Sequence, residues 1–327
     1  MARESTSIHL ALGAALLLLA GLSLPGLDAG PLTPQESRWL TDPALTGPLF
    51  GLLLAAWSAL SQDPFWLRTL PLAAALTALV IARFAARQLG GAHATAGALV
   101  LVAAAPLLVW QATQLGPDTL ILALALGSIW CFAGYARQGD IAWLAGWTLS
   151  TAAGLLVRPE ILWAVLIQWI AALLYRRRLH LPQGLWWLAQ LGPIVLFLIV
   201  WNTPMLAGTT VPSLDTLVDR WMVLATGAAR PGPNPGAILF GLLALFGLAA
   251  ARDARRDARR GLLVLGAFIP TLLFFFLPGG LPYATGALAC WCMLIAMGLR
   301  LHPRWLRQLL WSGLALSWAF SYWQLYG

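Results

Sequence analysis

Long apolar runs, broken by short polar clusters, follow one another from end to end of the chain. A bilayer core about 30 Å thick is crossed by about 20 apolar residues in a helix. By that measure the pattern predicts about eleven spans, at 8–25, 68–87, 94–112, 119–136, 141–157, 160–175, 184–203, 236–251, 261–277, 282–299 and 306–325. The expected fold class is all-α, a polytopic transmembrane helical protein forming a single integral-membrane domain. Several runs are short, and 141–157 with 160–175 has the form of a tight re-entrant hairpin. The apolar stretch 47–61 opens on Pro48 and has only 15 residues. It is expected to lie on the membrane as a juxtamembrane helix rather than to cross it. Glu4 stands beside Arg3 ahead of the first run, and no small-x-small cleavage site follows. That run is therefore expected to be a retained helix and not a signal peptide.

Composition narrows the class. The 327 residues are 60% hydrophobic and 10% charged, with mean hydropathy +0.78. Average soluble chains are about 25% charged, so an ordinary globular enzyme and a disordered chain are excluded. The net charge of +8 and the pI near 10.4 would otherwise point to nucleic acid. Here the charge has another origin. All 20 basic residues are arginine. With the N-terminus inside and spans alternating, 15 of them fall inside, and only Arg38, Arg68, Arg158, Arg220 and Arg230 fall outside. This is the positive-inside pattern of a multi-pass membrane protein. Eight of the 12 acids lie outside. Fifteen arginines against four acids leave +11 inside, and five against eight leave −3 outside. The expected setting is a bacterial-type inner membrane with a cytoplasmic N-terminus and an active face that is periplasmic or extracellular. The 18 tryptophans suit the two membrane interfaces. Cys131, Cys290 and Cys292 lie in apolar runs and read as small buried hydrophobes.

All four histidines fall inside or at its edge, so outside chemistry must run on carboxylates and arginines. Four places qualify. The loop Pro34 to Pro43 offers Glu36 and Asp42, with Arg38 and Trp39 beside them. These acids can take a proton, hold a divalent cation, or simply make the loop polar. Asp118 opens an apolar helix, where the dipole favours a carboxylate, as a cap or as a group held for substrate. Arg158-Pro159-Glu160 sits between two apolar runs. An arginine fork there can hold a lipid phosphate, or pair with Glu160 in a turn. Arg220 and Arg230, in the outside loop 204–235, are further candidates to hold a phosphate; the Pro/Gly run Pro231–Gly236 that follows them is a lid or, more ordinarily, a linker.

In four places residues 1–180 resemble the integral-membrane glycosyltransferases of the GT-C superfamily, particularly the dolichyl-phosphate-mannose protein mannosyltransferases and bacterial aminoarabinose transferases. Gln35-Glu36-Ser37-Arg38-Trp39 stands where that family has Asp-Glu, a small residue and an aromatic. Asp63 to Pro71, with Arg68, is similar to the family's Arg-Leu-Pro helix, Gln114-Leu-Gly-Pro117-Asp118 to its Pro-Asp helix opening, and Val157-Arg158-Pro159-Glu160 to a Thr-Arg-Pro-Glu variant. The resemblance implies an outside-facing cavity and a lipid-linked sugar donor carried on polyprenyl phosphate. It also implies Glu36 or Asp42 as base or cation-holding acid, Asp118 for positioning, and Arg158 for the leaving phosphate. Residues 1–180, with the first outside loop 27–67, then form the GT-C-like core, and 181–327 supply further helices. Gln35 occupies the position of the family's usual catalytic Asp, and an amide cannot accept the proton. The alternative is therefore a non-catalytic GT-C-like subunit or assembly factor with a membrane-protein partner. Membrane lipids are expected contacts, and nucleic acid is not. A divalent cation at the outside carboxylates is the one cofactor these residues invite.

Overall fold

The computed structural model describes residues 2–41, 47–175, 192, 193, 195, 214–226, 236–252, 257–277 and 281–326. Among them are 14 α-helices and no strand. They are α1 (Ala2–Leu27), α2 (Pro34–Thr41), α3 (Pro48–Ser58), α4 (Pro64–Leu89), α5 (Ala92–Ala103), α6 (Pro106–Thr113), α7 (Asp118–Gln138), α8 (Ile141–Val157), α9 (Leu162–Tyr175), α10 (Leu214–Thr226), α11 (Gly236–Ala250), α12 (Ala258–Phe276), α13 (Leu281–Leu299) and α14 (Arg304–Tyr326). Five are long and apolar enough to cross a membrane, and a sixth span is added if α5 and α6 are counted as one. The protein is a multi-pass membrane protein of all-α class.

Local chemistry sets the helix ends. Asp63 caps α4 by accepting from Phe65 N at 3.3 Å, with Pro64 at the first helical position. Gly139 takes φ +70° after α7, and Asp140 at once caps α8 by accepting from Ala142 N at 3.0 Å. That pair turns the chain sharply back on itself, because glycine enters the left-handed region without steric penalty.

The buried centre is α7 and α13, both covered along most of their lengths, while α1 lies at the periphery. Around them α4, α5, α8, α11 and α12 pack closely. At the α11–α13 crossing the helices approach so closely that a Cβ on Gly298 would stand 2.6 Å from the Phe246 carbonyl. Small residues permit this approach, and it is how helices associate where water provides no driving force. Several polar groups inside bind one another. Trp147 Nε1 donates to Gln168 Oε1 (2.7 Å), Gln168 Nε2 to Ser128 Oγ (2.7 Å), and Ser128 shares a 2.8 Å bond with Thr151. This chain of bonds ties α7, α8 and α9 together. Trp57 and Trp66 stack at 4.9 Å and exchange N–H···O=C bonds of 3.1 and 3.0 Å, which clasp α3 to α4.

The helices coincide with ten of the eleven predicted runs, but only five or six of them meet the length and hydropathy of a span. The shortfall is physical. α8 has 17 residues, α9 has 14 and α11 has 15, all short of a straight crossing. The run 94–112 is not one helix: Ala94–Ala103 and Pro106–Thr113 meet at 51°. Pro106 has no N–H and its ring clashes with the preceding turn, so the helix ends there. The carbonyl of Ala104, freed at this break, accepts from Tyr322 of α14 at 2.9 Å. Run 184–203 lies almost wholly outside the described residues, while 47–61 is the 11-residue helix α3. All three cysteines are buried and free, as the apolar runs around them implied.

Candidate functional site

The first loop is built around one ion pair. Thr33 and Glu36 form a capping box on α2: Glu36 N donates to Thr33 Oγ1 (3.2 Å) and Thr33 N to Glu36 Oε2 (2.8 Å). Glu36 is 1% exposed and Arg68 is 1% exposed. Arg68 Nε donates to Oε1 and its second amino group to Oε2, both at 3.0 Å. Leu115 N adds a bond to Oε1, also at 3.0 Å. Four bonds thus fill about all the lone-pair sites of the carboxylate. The remaining Arg68 donors reach the carbonyls of Leu27 (3.3 Å), Gly30 (3.0 Å) and Pro31 (3.1 Å). All five N–H groups of Arg68 are therefore used. Burial pushes the Glu36 carboxyl up, but the Arg68 bonds and the N–H groups of Leu115 and Thr33 outweigh it. The net result is a carboxyl held below its ordinary range. The pair fastens α1, the first loop, α4 and the α6–α7 turn at one point.

A second cluster has the opposite character. Arg158 ends α8 in extended conformation and precedes a 3₁₀ turn over Pro159–Ile161. It donates to Asp118 Oδ1 (3.3 Å) and Glu160 Oε1 (2.5 Å), and its guanidinium carbon lies 5.9 Å from the Trp39 ring centre. Only two of its five N–H groups are spent on these acids, and its side chain stays 22% exposed, as does that of Asp118. Glu160 Oε2 is buried without a partner among the described residues. Two carboxyl groups thus share one guanidinium at this corner. Gly47 brings the next segment against this corner, donating its N–H to the Val157 carbonyl at 3.2 Å. A Cβ there would collide with the carbonyls of Leu156 and Val157.

Between the two clusters lies a cavity of about 390 Å³. Glu36, Asp118, Arg158 and Arg220 line it. So do the amides Gln35, Gln111 and Gln114 and the rings of Trp39, Trp110 and Phe274. Every lining residue belongs to a connection or helix end assigned to the outside by the charge pattern. Four of the eight candidate residues thus meet in one cavity, and Glu160 stands behind Arg158. Arg38 is exposed on α2 and takes no part in the wall. Asp42 and Arg230 lie outside the described residues. Arg220 reaches the wall while capping α12, donating to the carbonyls of Phe274 (2.7 Å), Phe275 (2.7 Å) and Leu277 (3.1 Å). The three glutamines were not among the sequence candidates. The signal was present: Gln111-Ala-Thr113-Gln114 is a polar run ending an apolar helix.

No protein-family profile matches the sequence, and no curated protein matches it. Solved structures do. The chain superposes on ArnT from Cupriavidus metallidurans bound to undecaprenyl phosphate with TM-score 0.68 at 17% identity, over 92% of this chain and 62% of that one. The apo state of ArnT gives 0.68 at 15%, over 95% and 63%. The archaeal oligosaccharyltransferase AglB from Archaeoglobus fulgidus, in complex with an inhibitory peptide and a dolichol-phosphate, gives 0.52 at 12%, over 95% and 55%. Both are GT-C proteins. The chain has the GT-C fold. It spans less than two thirds of the length of each of these GT-C structures. Within the fold, Glu36 of the first loop and Arg158 line one cavity.

A divalent cation does not suit the acids this cavity offers. Among the described residues no three His, Cys, Asp or Glu side chains gather at one point. Glu36, Asp118 and Glu160 are each bonded to an arginine, whose charge repels a cation.

Proposed function

We propose that this protein is a membrane glycosyltransferase that moves a sugar from a polyprenyl-phosphate-linked donor to an acceptor on the outer face of a bacterial-type inner membrane. The observation that carries the reading is the cavity in which Asp118 and the unsaturated Arg158 stand together. Transfer requires a group to take the acceptor's proton and a cation to offset charge on the departing phosphate. Asp118 takes the first role. Arg158, which among the described residues spends only two of its five N–H groups on acids, takes the second, and Glu160 orients it. Glu36, saturated by four donors, braces the loop and is not the base. Arg68 holds it there.

A cavity at the ends of membrane helices suits the phosphate and sugar of a donor whose lipid chain stays in the bilayer. Two of the neighbouring structures were solved with undecaprenyl phosphate and with a dolichol-phosphate. One observation favours a second reading. Gln35, at the position of the family's catalytic Asp, lines the cavity, and an amide takes no proton. On that reading the chain is a GT-C-like subunit that holds a lipid phosphate without turning it over. Purified protein incubated with labelled polyprenyl-phosphate sugars and a membrane acceptor fraction separates the two. Transfer that is lost in Asp118→Asn supports the enzyme. Tight lipid binding with no transfer, together with a stoichiometric protein partner, supports the subunit.

A further inference from the structure

Gln111 is a buried polar side chain of the cavity wall that the protein leaves half unmatched. It sits on α6, beyond the break at Pro106, is 3% exposed, and lines the cavity. One end of its amide is held, since Oε1 accepts from Thr285 Oγ1 on α13 at 2.5 Å. The other end, Nε2, is buried with no partner among the described residues. Thr285 has one hydroxyl proton, and its oxygen also lies 3.0 Å from the Leu281 carbonyl. Turning the amide over would let Nε2 donate to Thr285 and would leave Oε1 bare instead. In either orientation one end of the Gln111 amide is unmatched. Folded proteins rarely tolerate this, because the buried group has given up its water. A hydroxyl matches either end, since it both donates and accepts, whereas a phosphate oxygen only accepts. The same wall carries two further amides, Gln35 and Gln114, and the rings of Trp39 and Trp110. Amides suit the hydroxyls of a pyranose or furanose, and the rings suit its C–H face.

We infer that Gln111 reads a hydroxyl of the sugar head group and so sets which lipid-linked sugar the cavity accepts. This rests on the functional reading above and adds a specificity residue apart from the charged centre. Thr285 positions the amide.

The test is binding by the full chain in lipid nanodiscs. The probes are bare undecaprenyl phosphate and a panel of undecaprenyl-phosphate-linked pentoses and hexoses. The wild type is expected to bind at least one sugar-linked lipid more tightly than the bare lipid. Gln111→Met should lower that affinity about tenfold, the worth of one buried hydrogen bond, and leave bare undecaprenyl phosphate unchanged. Thr285→Val, which keeps the amide but loosens it, should lose a smaller part of the preference. If Gln111→Met does not fold, Gln111→Asn replaces it, and the preference must again fall. An equal loss for both kinds of lipid, or an intact preference, overturns the assignment. A wild type that binds bare and sugar-linked lipid equally overturns the assignment alone. A wild type that binds neither overturns the functional reading and the assignment with it.

Discussion

Glu36→Gln changes one atom and removes one charge, yet it should strongly destabilise the corner where Glu36 and Arg68 fasten the first loop. The carboxylate receives four donors, two from Arg68 and one each from Thr33 and Leu115. An amide keeps an acceptor at only one of the two oxygen positions. The other position becomes an NH₂ that meets one guanidinium N–H and one backbone N–H. Two donors lose their acceptor, and each buried unsatisfied donor costs about 1–3 kcal/mol. Removing one charge from a buried ion pair costs about 3–5 kcal/mol. The two figures describe overlapping events, so the expected loss is about 4 kcal/mol and not their sum. Arg68→Met should be at least as severe, since it leaves a buried carboxylate and three loop carbonyls without their cation. Denaturant unfolding in mixed micelles, followed by far-UV circular dichroism, measures both losses. The double variant Glu36→Leu/Arg68→Met should lose less than the two single losses added together, because no unpaired charge remains. A Glu36→Gln protein that stays within about 0.5 kcal/mol of wild type, the scale of an ordinary surface change, while sugar transfer disappears, would rule this role out. Glu36 would then be the base and not the brace.

Acid should act through the same residue. Because the folded carboxyl lies below its ordinary range, the unfolded chain binds the proton first as pH falls. Its stabilisation is full above the ordinary carboxylate range and is lost as pH drops through the folded value. Wild type should therefore lose stability in that window, and Glu36→Gln should lose little further, as melting curves across the window will read. Thr33→Ala removes the capping-box hydroxyl and should cost about 1 kcal/mol in the same unfolding assay, with binding of lipid phosphate retained. Tyr322→Phe leaves the Ala104 carbonyl at the α5–α6 break without its donor. It should cost about 1 kcal/mol and speed amide exchange around residues 103–106, which mass spectrometry will follow.

Much of the outline was legible in the sequence because membrane helices are written as uninterrupted apolar runs. The α4, α7 and α13 boundaries follow from Asp63-Pro64, Pro117-Asp118 with Gly139, and the Leu281 run between polar breaks. Span number was less legible. Hydropathy counts apolar residues, and it does not register that Pro106 breaks a run or that α9 is too short to cross. The site divided in the same way. Arg158 and Asp118 were visible because charges flanked by apolar runs stand out. The division of labour between Arg68 and Arg158 was not, because it depends on five matched donors against two, and donors are matched only in three dimensions. Glu36 drew attention as an acid in an outside loop, but the Thr33-Pro34-Gln35-Glu36 spacing of a capping box was the better guide to its work. Gln111 drew no role because the polar run Gln111-Ala-Thr113-Gln114 does not say which of its side chains faces a cavity. Its meaning lies in the bond to Thr285, 174 residues away.

On the proposed function, Asp118 and Arg158 carry sugar transfer from a lipid phosphate. Single-turnover transfer of labelled sugar from undecaprenyl-phosphate donors, by protein purified in nanodiscs, tests it most directly. Asp118→Asn should slow transfer by about 10²–10⁴-fold with donor binding intact, as loss of a general base does. Arg158→Met should slow it by about 10²–10³-fold, as loss of charge stabilisation does. Transfer that proceeds at the wild-type rate in both variants, or a wild type that binds the donor and never turns it over, would contradict the account.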